Sequence, residues 1–357
     1  MIGVSLQGRL LGGRYKLDRH LADGGMGVVW TAEDVTCGAP VAVKLMSVEG
    51  ATRSDLRARF EQEARAVSRL LSPHIVRVFD HGTDDDTPFI VMELLEGIDL
   101  LAAQERAVAW PLAEIAGLVI QVAQGLGAAH RAGLIHRDVK PANIFLARSG
   151  ADTVIAKLID FGIAKWAENK DILTAGNVAL GSPSYMSPEQ IRGERLDPRV
   201  DAWALAVVAF TLVTGELPFV GRNGPDIAKQ VVLGNRRQVA PALPNAARLE
   251  RFFTRAFAPS PDARYRSVEE LAGEFVLVSD APGPLLCAAR AVAGALESPD
   301  ELGSTEDGIT NRLVRSPPAG DQSSERAAVS LQEIEDLEQT EIDDRLSASG
   351  DGAGRTR

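Results

Sequence analysis

The feature that most constrains the fold is a change of hydrophobic period near Gly97. Before that glycine, β-branched and aromatic residues come in short alternating stretches. Residues 14–45 read as strands around a glycine-rich turn at Gly24, Gly25 and Gly27, and 75–79 and 88–94 as two more, parted by Asp84-Asp85-Asp86. Between them, 56–71 has helical spacing, with Leu56, Phe60, Ala64, Val67 and Leu71 on one face. After Gly97 the helical period dominates, over 115–130, 201–212 and 268–278, and short strands are confined to about 143–160. A strand-rich part followed by a helix-rich part predicts an α+β chain of two lobes, with a cleft where ligand pockets form.

Beyond Ser279 the apolar period fades, and Gly, Ser, Pro, Asp and Glu accumulate. Leu285, Ala289, Val292 and Leu296 could line one helix face, and Leu331, Ile334 and Leu337 another. The composition nonetheless predicts that 279–357 is a largely disordered, acidic low-complexity tail. Of 49 acidic and 38 basic residues, the tail holds 16 and 7, leaving 33 and 31 for the body. A nearly neutral body argues against general nucleic-acid binding, which needs clustered Lys and Arg. The two cysteines, Cys37 and Cys287, are too few for a disulfide framework or a zinc cluster and suggest a reducing, cytoplasmic setting. No unbroken apolar run reaches the roughly 18–20 residues of a membrane span, and residues 1–10 lack the pattern of a signal peptide.

Four local patterns carry chemistry. The first, Leu21-Ala22-Asp23-Gly24-Gly25-Met26-Gly27-Val28-Val29, has the glycine density that lets a backbone approach phosphate. Dinucleotide-binding folds carry a similar string, but there it opens a helix, whereas residues 28–32 read as a returning strand. The Gly-Lys-Ser/Thr ending of a P-loop is absent. On this pattern alone an ordinary hairpin remains open. Second, Val41-Ala42-Val43-Lys44 sets a lysine inside an apolar strand, where burial would neutralise it without an anionic partner. Glu63, with apolar neighbours on the following helix, is the expected partner, and Glu61 fits a solvated face. The third is His136-Arg137-Asp138-Val139-Lys140-Pro141-Ala142-Asn143, followed by Asp160-Phe161-Gly162. The fourth is Gly181-Ser182-Pro183-Ser184-Tyr185-Met186-Ser187-Pro188-Glu189-Gln190.

Together these motifs resemble bacterial serine/threonine protein kinases of the eukaryotic-like (Hanks) type, over about 14–278. The resemblance implies a bilobal protein kinase fold, with an N-lobe at about 14–95 and a C-lobe at about 97–278, ahead of the tail. It implies transfer of the ATP γ-phosphate to protein serine and threonine hydroxyls, with magnesium, for which manganese can substitute. In that reading Asp138 accepts the proton of the substrate hydroxyl and Lys140 neutralises the γ-phosphate. Lys44, held by Glu63, faces the α- and β-phosphates. Leu21, Ala22, Gly24, Gly27, Val29, Ala42, Glu93, Leu95 and Phe145 surround the nucleotide, with Met92 guarding the rear. Asn143 and Asp160 hold the metal, Glu189 is buried against Arg264, and Asp201 anchors the loop before Asp138.

The sequence departs from the family at Ala22, where the first glycine of the loop stands, at Ser182 (a threonine) and at Ser187 (an alanine). Regulation by the resemblance falls to Arg137, Thr174 and Ser182, a phosphate on Thr174 binding Arg137 and ordering its segment. Thr340-Glu341-Ile342-Asp343 resembles a motif read by phosphothreonine-binding domains, which would give the tail a partner. Protein substrates and a transient homodimer complete the expected partners, with no nucleic acid. Two rival classes are a partner-binding scaffold without transfer, favoured by Ala22 and opposed by Lys44, Asp138 and Asp160, and a small-molecule kinase, which would lack the 181–189 segment.

Overall fold

Alternation in the first ninety residues resolves into one antiparallel sheet. A computed structural model describes residues 6–24, 27–46, 54–106, 109–150, 153–161 and 183–280, the side chains of 54–59 and 63 excepted. Six strands, β1 (Leu10–Leu11), β2 (Tyr15–Gly24), β3 (Gly27–Asp34), β4 (Ala39–Met46), β5 (Val78–Asp84) and β6 (Thr87–Glu93), pair in the order β1-β2-β3-β4-β6-β5. Asp85 and Asp86, both at positive φ (43° and 66°), make the two-residue turn between β5 and β6 that a right-twisted hairpin favours. One sheet face closes over Leu17, Val41, Val43, Phe89 and Val91 as a core of its own. The other face carries helix α1 (Ser54–Ser68), whose Phe60, Ala64 and Val67 join the larger core.

Two sequence readings in this lobe need correction. Leu71 is 81% exposed, because α1 ends at Ser68 and the helical period with it, and Leu70 takes the buried place. Residues 75–79 are not one strand. Ile75 bridges Leu158 of the second lobe, Val76 N donates to Leu158 O (2.9 Å), and β5 begins only at Val78. The hydrogen-bond partner changes on either side of Arg77, so the segment stitches the two lobes together.

The second lobe is built on two apolar helices. In α3 (Leu112–Arg131) Ile115, Leu118, Val119, Val122 and Leu126 are buried, and α5 (Arg199–Thr214) is buried almost all round. α3 is long and apolar enough to cross a membrane, yet its apolar side chains belong to the protein core. Each such side chain contributes roughly 1.5–3 kcal/mol by leaving water. Helices α2 (Leu100–Arg106), α4 (Pro188–Ile191), α6 (Gly224–Leu233), α7 (Ala246–Ala256) and α8 (Val268–Ser279) complete the helical part. A second sheet, β7 (Gly97–Asp99), β8 (Ile144–Arg148) and β9 (Val154–Leu158), lies under the cleft. The sequence reading missed β7, which is three residues long and has no alternation to detect.

Candidate active site

Where the lobes meet, an apolar slot is lined by Leu21, Val29, Ala42, Val76, Met92, Glu93, Leu94, Leu95, Phe145, Ile159 and Asp160. The upper wall comes from β2, β3 and β4, and the lower from Phe145 on β8. Strand alternation explains the selection: Val29 and Ala42 fall on the cleft face of neighbouring strands, one to either side of the Trp30↔Val43 pair. Ala22 pairs with Val29 and is buried outside the lining, and Gly24 pairs with Gly27 at the strand ends. Gly27 (φ 143°) has a fold reason to be glycine, because a Cβ there would lie 1.9 Å from the carbonyl oxygen of Leu45. Val76, Leu94 and Ile159 were not foreseen as lining residues, Val76 because 75–79 read as an unbroken strand.

Asp138 is tied to the slot through Asn143, whose backbone carbonyl accepts the N–H of the lining residue Ile159 at 3.0 Å. Asp138 Oδ2 accepts Lys140 Nζ at 3.0 Å and Asn143 Nδ2 at 3.0 Å, and Asn143 Nδ2 also donates to Asp138 O at 2.8 Å. Pro141 starts a single 3-10 turn to Asn143, which folds the asparagine back onto the aspartate. The preceding residue, Arg137, has φ 63°, a conformation costing a non-glycine residue about 1–2 kcal/mol. The fold holds it there through Asp201, fully buried on α5. Asp201 Oδ2 accepts His136 N–H (2.8 Å) and His130 Nε2–H (2.7 Å), and Oδ1 accepts Arg137 N–H (2.8 Å). His136 is itself buried, donating through Nε2 to Ile159 O (3.1 Å) and packing on Phe161 at 4.6 Å between ring centroids. Burial pushes its imidazole below the ordinary histidine value, against the pull of Asp201 and Asp138, and keeps the ring neutral.

Asp160 also occupies the left-handed region, at φ 54°. Ile159 N–H donates to Asn143 O (3.0 Å), which brings Asn143 and Asp160 to one side of the slot. Asp160 Oδ1 accepts Lys44 Nζ at 2.6 Å, with the lysine side chain only 10% exposed. The buried lysine thus has an anion, and among the described residues that partner is Asp160. Glu63 lies on α1, four residues before Val67, which packs on the core, and its side chain is outside the described residues.

The strip joining the lobes is fastened from below. Glu93 Oε1 accepts Lys157 Nζ at 2.7 Å and Arg77 N–H at 2.8 Å. Lys157, on β9, is opposite Phe145 in register. Lys157 was missed, although the signal was the one used for Lys44, a lysine inside an apolar strand. Leu95 follows in the lining, and Asp99 caps α2 by accepting Ala102 N–H at 2.8 Å, its carboxyl pushed up by burial.

Beyond the loop, Glu189 on α4 receives both guanidinium nitrogens of Arg264 at 2.8 and 2.9 Å, the pair almost wholly buried and the guanidinium 4.6 Å from the Trp203 ring centroid. Ser187 is buried at the start of α4, its N–H donating to Gln190 Oε1 at 3.0 Å, and Gln190 Nε2 donates to Arg137 O at 3.2 Å. Nothing in the local sequence signals this reach of Gln190, because Arg137 is 53 residues away. Thr174, Ser182 and the tail from 281 onward, Thr340 included, lie outside the described residues, as does Gly162.

Comparison with known proteins gives a consistent result. Residues 15–272 match the family description "Protein kinase domain". The chain is 39% identical over 276 residues to the serine/threonine-protein kinase Pkn1 of Myxococcus xanthus, covering 74% of this chain and 38% of that protein. It is 35% identical over 260 residues to the serine/threonine-protein kinase PknF of Mycobacterium tuberculosis, covering 72% and 55%. The chain therefore spans 38% to 55% of the length of these curated relatives. Among solved structures, the M. tuberculosis PknI kinase domain superposes with a TM-score of 0.63 at 30% identity, over 78% of this chain and 100% of that one.

Proposed function

The chain belongs to the protein kinase family, and from that premise we propose that it transfers the γ-phosphate of ATP to serine and threonine hydroxyls of protein substrates. The observation that carries this reading is one arrangement: the linked set Lys140–Asp138–Asn143, tied through Ile159 to an apolar slot that Asp160 of the Lys44–Asp160 pair also lines. The slot suits a flat, apolar base. The charged groups suit a polyphosphate and an incoming hydroxyl.

In this mechanism Asp138 takes the hydroxyl proton and points that oxygen at the γ-phosphorus, its own carboxylate held by Lys140 and Asn143. Lys140 and Lys44 supply positive charge, to the γ-phosphate and to the α- and β-phosphates respectively. The donor set fits magnesium: Asn143 commits its amide nitrogen to Asp138, leaving the amide oxygen, and Asp160 adds a carboxylate, both hard oxygen ligands. Magnesium, or manganese in its place, supplies charge neutralisation across the phosphates when bound. Glu93 and Leu95 offer backbone groups to the adenine edge, and Leu21, Val29, Ala42 and Phe145 its faces. Regulation in this reading runs through a phosphate on Thr174 paired to Arg137, with Ser182 contacting Asp138 and Lys140. Signalling is cytoplasmic, Thr340 of the tail offers a phosphothreonine to a reader, and a transient homodimer carries out activation.

The test is transfer of labelled γ-phosphate by the purified chain, with magnesium and a generic protein substrate, beside Asp138→Asn. Loss of a proton-accepting group is expected to lower the rate about 10²–10⁴-fold. Label on serine or threonine that vanishes in the variant supports the reading, and label on Thr174 supports the switch. Nucleotide binding without any transfer would sink it in favour of a scaffold.

A further inference from the structure

The peptide unit between Arg137 and Asp138 is where the backbone leaves the left-handed region and enters the site. Its N–H donates to His136 Nδ1 at 3.3 Å, a long bond to a residue only two positions back in the same loop. Its carbonyl is held by Gln190 Nε2 at 3.2 Å, from 53 residues away. Asp201 grips only the preceding N–H groups, of His136 and Arg137. The other end of the Gln190 amide, Oε1, accepts Ser187 N–H at 3.0 Å and lies 3.3 Å from the Ser187 hydroxyl. One side chain therefore spans two segments, the loop before Asp138 and the entry to α4. Capping of α4, a helix of one turn, explains the acceptor end but not the donor end.

We propose that Gln190 is a positioning residue whose amide nitrogen fixes the Arg137–Asp138 peptide plane, and with it the direction of the Asp138 carboxylate, while its amide oxygen ties that plane to the entry of α4. The consequence for rate rests on the kinase reading of Asp138. The strut itself does not. A rotated peptide plane would swing the Asp138 side chain off line, and misplacement of this kind lowers the rate of the chemical step far more than it weakens nucleotide binding.

Gln190→Glu discriminates. It is isosteric and keeps an acceptor for Ser187 N–H, but at pH 8, where an ordinary glutamate is ionised, it sets a carboxylate oxygen against the Arg137 carbonyl. Gln190→Ala removes both ends. Both variants are expected to lower kcat for peptide phosphorylation about tenfold, with KM for ATP within about twofold. Both should also speed amide hydrogen exchange over residues 134–140. A Gln190→Glu protein with wild-type kcat and wild-type exchange would reduce Gln190 to a cap of α4 and overturn the proposal, as would faster exchange with unchanged kcat. If the wild-type chain transfers no phosphate, the kinase reading fails by itself, and unchanged exchange in Gln190→Glu would then overturn the strut separately.

Discussion

Asp201 Oδ1 stands 2.8 Å from the backbone nitrogen of Arg137, across 64 residues of chain, and its Oδ2 takes the neighbouring N–H of His136 at the same distance. A fully buried carboxylate with three donors around it is satisfied on every side, and the left-handed Arg137 is the conformation that satisfaction demands. Asp201→Asn puts an NH₂ against one of those N–H or imidazole donors. The unmade hydrogen bonds of a buried site should cost on the order of 3 kcal/mol, read as a fall in urea unfolding free energy. Phosphate transfer should fall in parallel. Stability unchanged within about 0.5 kcal/mol would show that the loop does not depend on this clamp.

The Glu93–Lys157 pair fastens the strip between the lobes to the floor of the slot. Lys157→Met keeps the aliphatic stem and removes the ammonium, freeing the Glu93 segment to shift. Nucleotide dissociation constants, measured by titration with a fluorescent ATP analogue, should rise about three- to tenfold, as expected for loss of one charge-assisted bond to a binding segment. Lys157→Arg should recover most of the loss. Equal affinity in Lys157→Met would remove the pair from any account of the slot.

Glu189 and Arg264 form a buried ion pair whose members have little access to water. Arg264→Met strands the Glu189 carboxylate and should cost about 3–5 kcal/mol in unfolding free energy. Adding Glu189→Gln should restore part of that loss, because the second change removes the stranded charge. A double variant no more stable than Arg264→Met would mean that the Arg264 bonds to Ala258 O and Pro259 O carry the effect.

His136 gives a pH dependence with a definite sign. Burial lowers its folded-state value below the unfolded 6.5, so below that pH the unfolded chain binds the proton and the folded chain does not. Its contribution is full above about 6.5 and is lost as the pH falls toward the folded value, by at most about 1.4 kcal/mol per pH unit. Urea unfolding at pH 7.5, 6.5 and 5.5 should show a steeper loss in the wild type than in His136→Phe, which keeps a ring against Phe161 but has no proton to take up. Parallel curves would show that His136 takes up its proton as readily in the folded protein as in the unfolded chain.

Much of the site could be read directly because its chemistry is contiguous. Asp138, Lys140 and Asn143 sit within six residues, and one 3-10 turn brings the ends together. Lys44 announced itself by being a lysine in an apolar strand, whereas Val29 and Ala42 came from the family resemblance, and strand pairing explains why they share the cleft face. Leu71, by contrast, was extrapolated along a helix that had already ended, and 75–79 was read as one strand because periodicity does not see a change of hydrogen-bond partner at Arg77.

The sequence alone determined the order of the two lobes, the core-facing side of α1 and the residue types gathered around Asp138, since these follow from local period and short spacing. The tertiary structure decided the rest: that Asp201 clamps His136 and Arg137, that Gln190 reaches Arg137 O, that Lys157 meets Glu93, and that Lys44 rests on Asp160. These partners are 53 to 116 residues apart. A hydrophobic period records which face of an element is buried. It carries no record of which distant donor meets which acceptor, because that is fixed only when the sheets and helices close on one another and every buried polar group must find its partner.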